Sequence, residues 1–175
     1  SRERGHVVYV FPGQGSQWQA MGQQLLEDND VFREAVEACD AALAPLTGWS
    51  VAAVLRGDRE APSLERVDVI QPALFAMTVG LSRLWTAMGF APSAVVGHSQ
   101  GEVGAAVVAG ALSMEDAARV VVARSRLVKR LSGRGGMAVV ELPADSVTDK
   151  LVRFEGVLSV AVVNTPTSTV VSGDN

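Results

Sequence analysis

The stretch Val95-Val96-Gly97-His98-Ser99-Gln100-Gly101-Glu102 constrains this chain more than any other. A short apolar run reaches a Gly-x-Ser-x-Gly turn, and a helix of small residues is predicted to leave it from Glu102 towards Ala109. Strand, sharp turn and helix in that order make a nucleophile elbow in an α/β fold. Gly97 and Gly101 let the backbone turn tightly and pass close to its neighbours, which holds Ser99 out in a strained, exposed position. The free N–H groups and positive dipole end of the helix then lie where a negative acyl oxygen develops during attack on a carbonyl. The same five residues also fit an ordinary Gly-rich strand-to-helix turn, so the rest of the chain has to decide.

Residues 6–11, His-Val-Val-Tyr-Val-Phe, form a β-branched and aromatic run ended by Pro12 and read as a buried strand. The loop Gly13-Gln14-Gly15-Ser16-Gln17-Trp18 begins as dinucleotide sites do. Trp18 stands where the last glycine is needed, however, and no Walker-type lysine follows, which argues against a nucleotide cofactor. At the carboxyl edge of a parallel sheet such a loop is well placed to offer backbone N–H groups to an anion. Residues 21–27 and 31–43 read as core helices. Residues 46–66 are irregular, with room for one short helix. Gln71-Pro72 is predicted to open a long helix, with proline in its first turn, that closes at Gly89.

Ser113-Met114-Glu115-Asp116 has the form of a capping box, and its helix is predicted to run to Leu131 and end at Gly133. On a 3.6-residue wheel Ala117, Val120, Val121, Leu127, Val128 and Leu131 share one face, with Arg124 near its middle. A guanidinium facing inward needs a carboxylate or several acceptors, because an unpaired buried charge costs several kcal/mol. Two readings follow: an internal salt bridge, or a bidentate clamp for a substrate carboxylate. From Gly135 the pattern becomes strand (137–142), helix (144–154), strand (157–164) and strand (168–172), behind a Gly-rich hinge at 133–136. The predicted division is therefore 1–133 and 134–175. The second part is the start of a split β-α-β unit that ends before its last helix and strand.

Apolar residues make up 48% of the 175, charged residues 19%, and the net charge is −4. Nothing basic is clustered enough to grip phosphates, so neither a nucleic-acid binder nor a disordered tail is indicated. A single cysteine, Cys39, excludes an internal disulfide and fits a reducing compartment. No signal-peptide core is present, and residues 103–112, the longest small/apolar stretch in this reading, are too short to span a bilayer. A soluble cytoplasmic protein is expected, with no membrane partner, and the chain reads as a piece of something longer. A serine nucleophile needs a base within reach, and only His6 and His98 are available. His98 adjoins Ser99 and points to the other side, so the base is expected outside these residues.

Phe11-Pro12-Gly13-Gln14-Gly15-Ser16-Gln17, Gly97-His98-Ser99-Gln100-Gly101-Glu102, Arg124 at 25 residues after the serine, and Ala161-Val162-Val163-Asn164 leading into Val170-Val171-Ser172-Gly173 together resemble the acyltransferase domains of modular type I polyketide synthases. These are relatives of the malonyl-CoA:acyl carrier protein transacylases. The resemblance implies an α/β-hydrolase-like parallel-sheet core with the beginning of an inserted ferredoxin-like α+β small subdomain. It makes Ser99 the nucleophile, Arg124 the holder of the extender unit's free carboxylate, and the backbone N–H groups of Gln14 and Gln100 the oxyanion hole. The substrate is a coenzyme A thioester and the acceptor the phosphopantetheine of an acyl carrier protein, beside neighbouring synthase domains such as a ketosynthase. No metal and no bound cofactor is implied.

Arg66-Val67-Asp68-Val69-Ile70-Gln71 and Gln100 are similar to the pattern of methylmalonyl-selective members, as against malonyl-selective ones. The family's histidine and its strongest specificity motif have no counterpart in these residues, so the chain by itself is expected to be inactive or nearly so. Two alternatives stay open: a serine esterase or thioesterase on the same elbow, and a non-catalytic docking fragment.

Overall fold

The computed structural model describes residues 5–174. The chain divides into two compact units between Lys129 and Arg130.

In the first unit, β1 (Val8–Phe11) and β2 (Ala94–Gly97) pair in parallel, in the register Val8↔Ala94 to Phe11↔Gly97. Between them lie α1 (Gln23–Asp28), α2 (Asp30–Thr47), α3 (Val51–Arg56) and α4 (Val67–Ala87). After them come α5 (Gly101–Val108) and α6 (Met114–Leu131). The core is helical: Phe32, Val36, Cys39 and Leu43 of α2 pack with Val69, Ala73, Ala76 and Val79 of α4 and with α3. Gly80 makes this closeness possible, since a Cβ there would sit 2.6 Å from the Phe32 ring. Burial pushes the Cys39 thiol up to about 12, as expected for a packing cysteine without thiolate chemistry. Asn29 caps α2 through Phe32 N–H (2.9 Å), and Gly48 ends it in the left-handed conformation. Tyr9 ties β1 to the segment just after α4 by donating to Phe90 O at 2.6 Å.

Several expectations are corrected here. α4 starts at Val67, not at Gln71-Pro72, and Pro72 lies inside it. The proline deprives only the Asp68 carbonyl of its partner, and the buried stripe that includes Val69 and Ile70 carries the helix back past it. α4 is also long and apolar enough to cross a bilayer, which the reading of residues 103–112 overlooked, but two thirds of its apolar window (67%) is buried within the fold. β1 is only half buried. Tyr9 and Phe11 face the helices, whereas Val8 and Val10 on the alternate face are exposed, Val10 by 70%, as is Val96 beside it.

In the second unit, β3 (Gly135–Val140), α7 (Ala144–Leu151), a 3-10 turn (Val152–Phe154), β4 (Leu158–Thr165) and β5 (Ser168–Asp174) follow the predicted β-α-β-β order. The strands form an antiparallel sheet of order β3-β5-β4. Val147 of α7 is buried, as are Thr169 and Val170 of β5, and the Thr169 hydroxyl donates to Leu142 O at 2.9 Å. The chain is thus an α/β protein with one parallel and one antiparallel sheet.

Candidate active site

Because β1 and β2 run parallel, the loops that follow them open at the same edge, bringing residues 13–17 and 98–101 together across 85 positions of sequence. A Cβ on Gly13 would lie 3.1 Å from His98 Nδ1 and 3.5 Å from Ser99 Cβ. Ser99 has φ +54°, and Ala20 is the only other non-glycine with positive φ among the described residues. That conformation costs a serine about 1–2 kcal/mol and survives only where its surroundings hold it. Here His98 N–H donates to Phe11 O (2.9 Å), and Gly101 N–H turns back to His98 O (3.0 Å). Both glycines of the motif have a steric reason. A Cβ on Gly97 would lie 2.5 Å from Glu102 N, and one on Gly101 2.6 Å from Pro12 O and closer still to Phe11 O.

Gln100 precedes α5 with helical torsions, and its backbone N–H donates to nothing among the described residues. The same holds for Gln14 N–H, while its neighbour Gly15 N–H is taken up by Gln17 Oε1 at 2.9 Å. The Gln100 side chain is buried, and its Oε1 has no hydrogen-bond partner.

Arg124 reaches the elbow from α6. Its Nη2 donates to Ser99 Oγ at 3.1 Å, and its Nη1 to Gln71 Oε1 of α4 at 2.7 Å. The internal salt bridge is not formed, since no carboxylate of the described residues lies within 4.0 Å of the guanidinium. The wheel placed Arg124 too centrally. The buried stripe of α6 is Ala117, Ala118, Val121, Val122 and Ser125, while Val120, Leu127 and Leu131 are exposed and Arg124 is half-buried on the flank. That flank lets an unpaired charge reach solvent and the serine together. The capping box forms: Ser113 Oγ accepts from Asp116 N–H and donates to Asp116 Oδ2, both at 3.0 Å.

One turn from Gln71, Asp68 accepts from Arg66 (2.8 and 3.1 Å) and from Lys129 Nζ of α6 (2.9 Å). The Arg66 guanidinium, with Lys129 behind it, holds the Asp68 carboxyl down to about 2. Sequence reasoning missed Gln71 as a partner of Arg124. The available signal was a single amide inside the apolar run 69–77. Neither histidine meets the serine: among the described residues the only side-chain hydrogen bond to Ser99 Oγ comes from Arg124. No group of three His, Cys, Asp or Glu side chains among the described residues could hold a metal ion. An apolar groove of about 500 Å³ lies elsewhere, along β1 over Tyr9, Trp18, Met77, Trp85 and Phe90, and includes neither Ser99 nor Arg124.

A strained serine at a parallel-sheet edge, with free N–H groups on two loops and a guanidinium at its hydroxyl, defines an α/β protein of the serine-elbow class. Within that class, residues 8–175 match the acyl transferase domain family, and the chain belongs to it. It is 54% identical over 173 residues to the polyketide synthase GfsB of Streptomyces halstedii, covering 99% of this chain and 3% of that protein. It superposes with TM-score 0.91 and 49% identity on a loading acyltransferase from the avermectin modular polyketide synthase, covering 96% of this chain and 54% of that one. At 32% identity and TM-score 0.82, it also resembles a malonyl-transacylase solved in complex with its type II polyketide synthase acyl-carrier protein, with 98% and 56% covered. The chain therefore spans about half the length of the solved structures it matches.

Proposed function

We propose that this chain carries the nucleophile and the carboxylate-binding arginine of an acyltransferase that loads an extender unit from coenzyme A onto the phosphopantetheine of an acyl carrier protein. Ser99 Oγ attacks the thioester carbonyl, the C–S bond breaks, and coenzyme A leaves as its thiol with the serine's proton. The acyl-Ser99 ester then passes its acyl group to the carrier thiol, which restores the hydroxyl. The N–H groups of Gln14 and Gln100 receive the oxyanion in both halves of the reaction. Arg124 holds the extender's free carboxylate, a planar anion suited to its fork.

The observation that most supports this reading is the Arg124 guanidinium, 3.1 Å from Ser99 Oγ and without a carboxylate of its own. An esterase has no use for a charge there. Membership of the acyl transferase family and the likeness to a transacylase solved with its carrier protein support the choice of acceptor. The segment Arg66–Gln71 and Gln100 support methylmalonyl as the extender. The finer fold reading, a hydrolase-like core with a ferredoxin-like insertion, is proposed with it. So is a base supplied by a histidine outside these 175 residues, which would leave this chain alone nearly inactive, and so is a cytoplasmic setting beside a ketosynthase.

Intact-mass spectrometry tests the proposal. This chain, and a longer polypeptide carrying it that reaches the length of the solved acyltransferases, are exposed briefly to methylmalonyl-CoA and to malonyl-CoA. The expected result is one methylmalonyl adduct on the longer form, absent in Ser99→Ala. Hydrolysis of simple esters without any acyl adduct would overturn the proposal in favour of an esterase.

A further inference from the structure

Arg124 is oriented by an amide where proteins commonly use a carboxylate. Gln71 is 3% exposed on the buried face of α4, and its Oε1 accepts from Arg124 Nη1 at 2.7 Å, in the range of a charge-assisted bond. One turn earlier the same helix does carry a carboxylate, Asp68, and there it takes up Lys129 of α6 and its own Arg66. α4 thus holds α6 at two points. Its anion goes to the cation away from the serine, and its neutral oxygen goes to the cation beside it.

The distinction matters electrostatically. Opposite charges in contact attract strongly in the reduced dielectric of a protein surface, so a carboxylate at position 71 would compete directly with any anionic ligand for the guanidinium. An amide oxygen orients the same Nη1 with one lone pair and leaves the net charge of Arg124 available. An amide also costs far less than an unpaired ion to keep buried.

We infer that Gln71 is a positioning residue for carboxylate recognition: as a neutral anchor it aims Arg124 Nη2 at the Ser99 site while leaving the guanidinium charge unneutralised for the free carboxylate of the acyl thioester. The inference rests on the role proposed for Arg124 above and goes beyond it, because it makes the charge state of a residue with no hydrogen bond to Ser99 a determinant of substrate class.

The test is a pair of ligands that differ by one carboxylate. Methylmalonyl-CoA and propionyl-CoA are titrated into the full chain by calorimetry, which reads binding and requires no turnover. The discrimination ratio is the propionyl-CoA Kd divided by the methylmalonyl-CoA Kd. One charge-assisted contact sets it at roughly 10- to 100-fold for the unaltered chain. Arg124→Ala should bring it to about one. Gln71→Glu keeps the shape and the hydrogen bond but adds the charge, and should bring the ratio to within about threefold of Arg124→Ala, with propionyl-CoA bound as before. Gln71→Met removes the anchor without adding charge, and should lower the ratio by roughly 3- to 10-fold. A merely structural Gln71 would weaken both ligands equally and leave the ratio unmoved, which would overturn the inference. Thermal unfolding checks each variant; if Gln71→Glu does not fold, an unchanged ratio in Gln71→Met overturns the inference on its own. A ratio that survives Arg124→Ala refutes instead the role of Arg124 on which it rests.

Discussion

Gly101→Ala should disable the elbow without touching a reacting group. The added Cβ would lie 2.6 Å from Pro12 O and nearer still to Phe11 O, both backbone atoms. Phe11 O cannot rotate aside freely, since it accepts the His98 N–H at 2.9 Å that holds the turn in place. The first turn of α5 must therefore lift by about 1 Å from the end of β1, taking Gln100 N–H and Ser99 with it. Overpacking of this kind costs about 1–3 kcal/mol, and the strained hydrogen bond about 1 more. At about 2–4 °C per kcal/mol for a chain of this size, the melting temperature should fall by about 5–15 °C. A displacement of about 1 Å at the reacting atoms costs on the order of a hundredfold in rate. Circular dichroism melting, and the rate of methylmalonyl-Ser99 formation in the longer polypeptide, read the two effects separately. Gly136→Ala is the control, because a Cβ there meets nothing within 4 Å. If Gly101→Ala melts with the unaltered chain and acylates at its rate, the close approach of α5 to β1 is not what holds Ser99 in place.

Two further outcomes are expected. Ser99→Gly should melt higher than Ser99→Ala, by about 1 kcal/mol, because both lose the hydroxyl bonded to Arg124 but only glycine adopts φ +54° without strain; equal melting would mean that the elbow is unstrained. Asp68 is held at about 2 when folded against an ordinary 3.8, so its contribution is complete above about pH 4 and is lost as the pH falls through 2. With half-exposed cationic partners this contribution is about 1 kcal/mol after solvent screening. Asp68→Asn should therefore be the less stable chain at pH 7, with the gap closing between pH 4 and pH 2; a gap that persists at pH 2 would refute the ion-pair origin.

How much of the site can be read from the sequence depends on the kind of residue that carries it. Gly97, Ser99 and Gly101 are legible because an apolar run before them and a small-residue helix after them set their spacing in a strand-turn-helix, and the structure shows two close backbone approaches around one positive-φ residue there. Arg124 is legible as an anomaly, a fixed charge on a helix with an apolar stripe. The wheel, however, weights every apolar residue as buried, so the exposed Val120, Leu127 and Leu131 pulled its face round onto the arginine. The second unit is legible because its strands are short, apolar and separated by Gly, Pro or a polar helix. The start of α4 is not, because local chemistry favours Pro72 in a first turn while the buried faces of Val69 and Ile70 extend the helix back to Val67.

Neutral polar residues are the hardest to read. Gln71 and Gln100 are both buried, and beyond the apolar run that surrounds Gln71 nothing in composition or periodicity separates them from glutamines on a surface. Their meaning lies in what they face. Gln71 meets a cation that no carboxylate neutralises, and Gln100 leaves Oε1 unpartnered directly beside the serine. A buried charge in either place would need its own counter-ion and would announce itself by it. An amide can instead orient a guanidinium, or stand beside a nucleophile, and leave the net charge of the site unchanged. On the role proposed for Arg124, specificity for an anionic group resides in its uncompensated charge, and a single added charge at position 71 is expected to remove it.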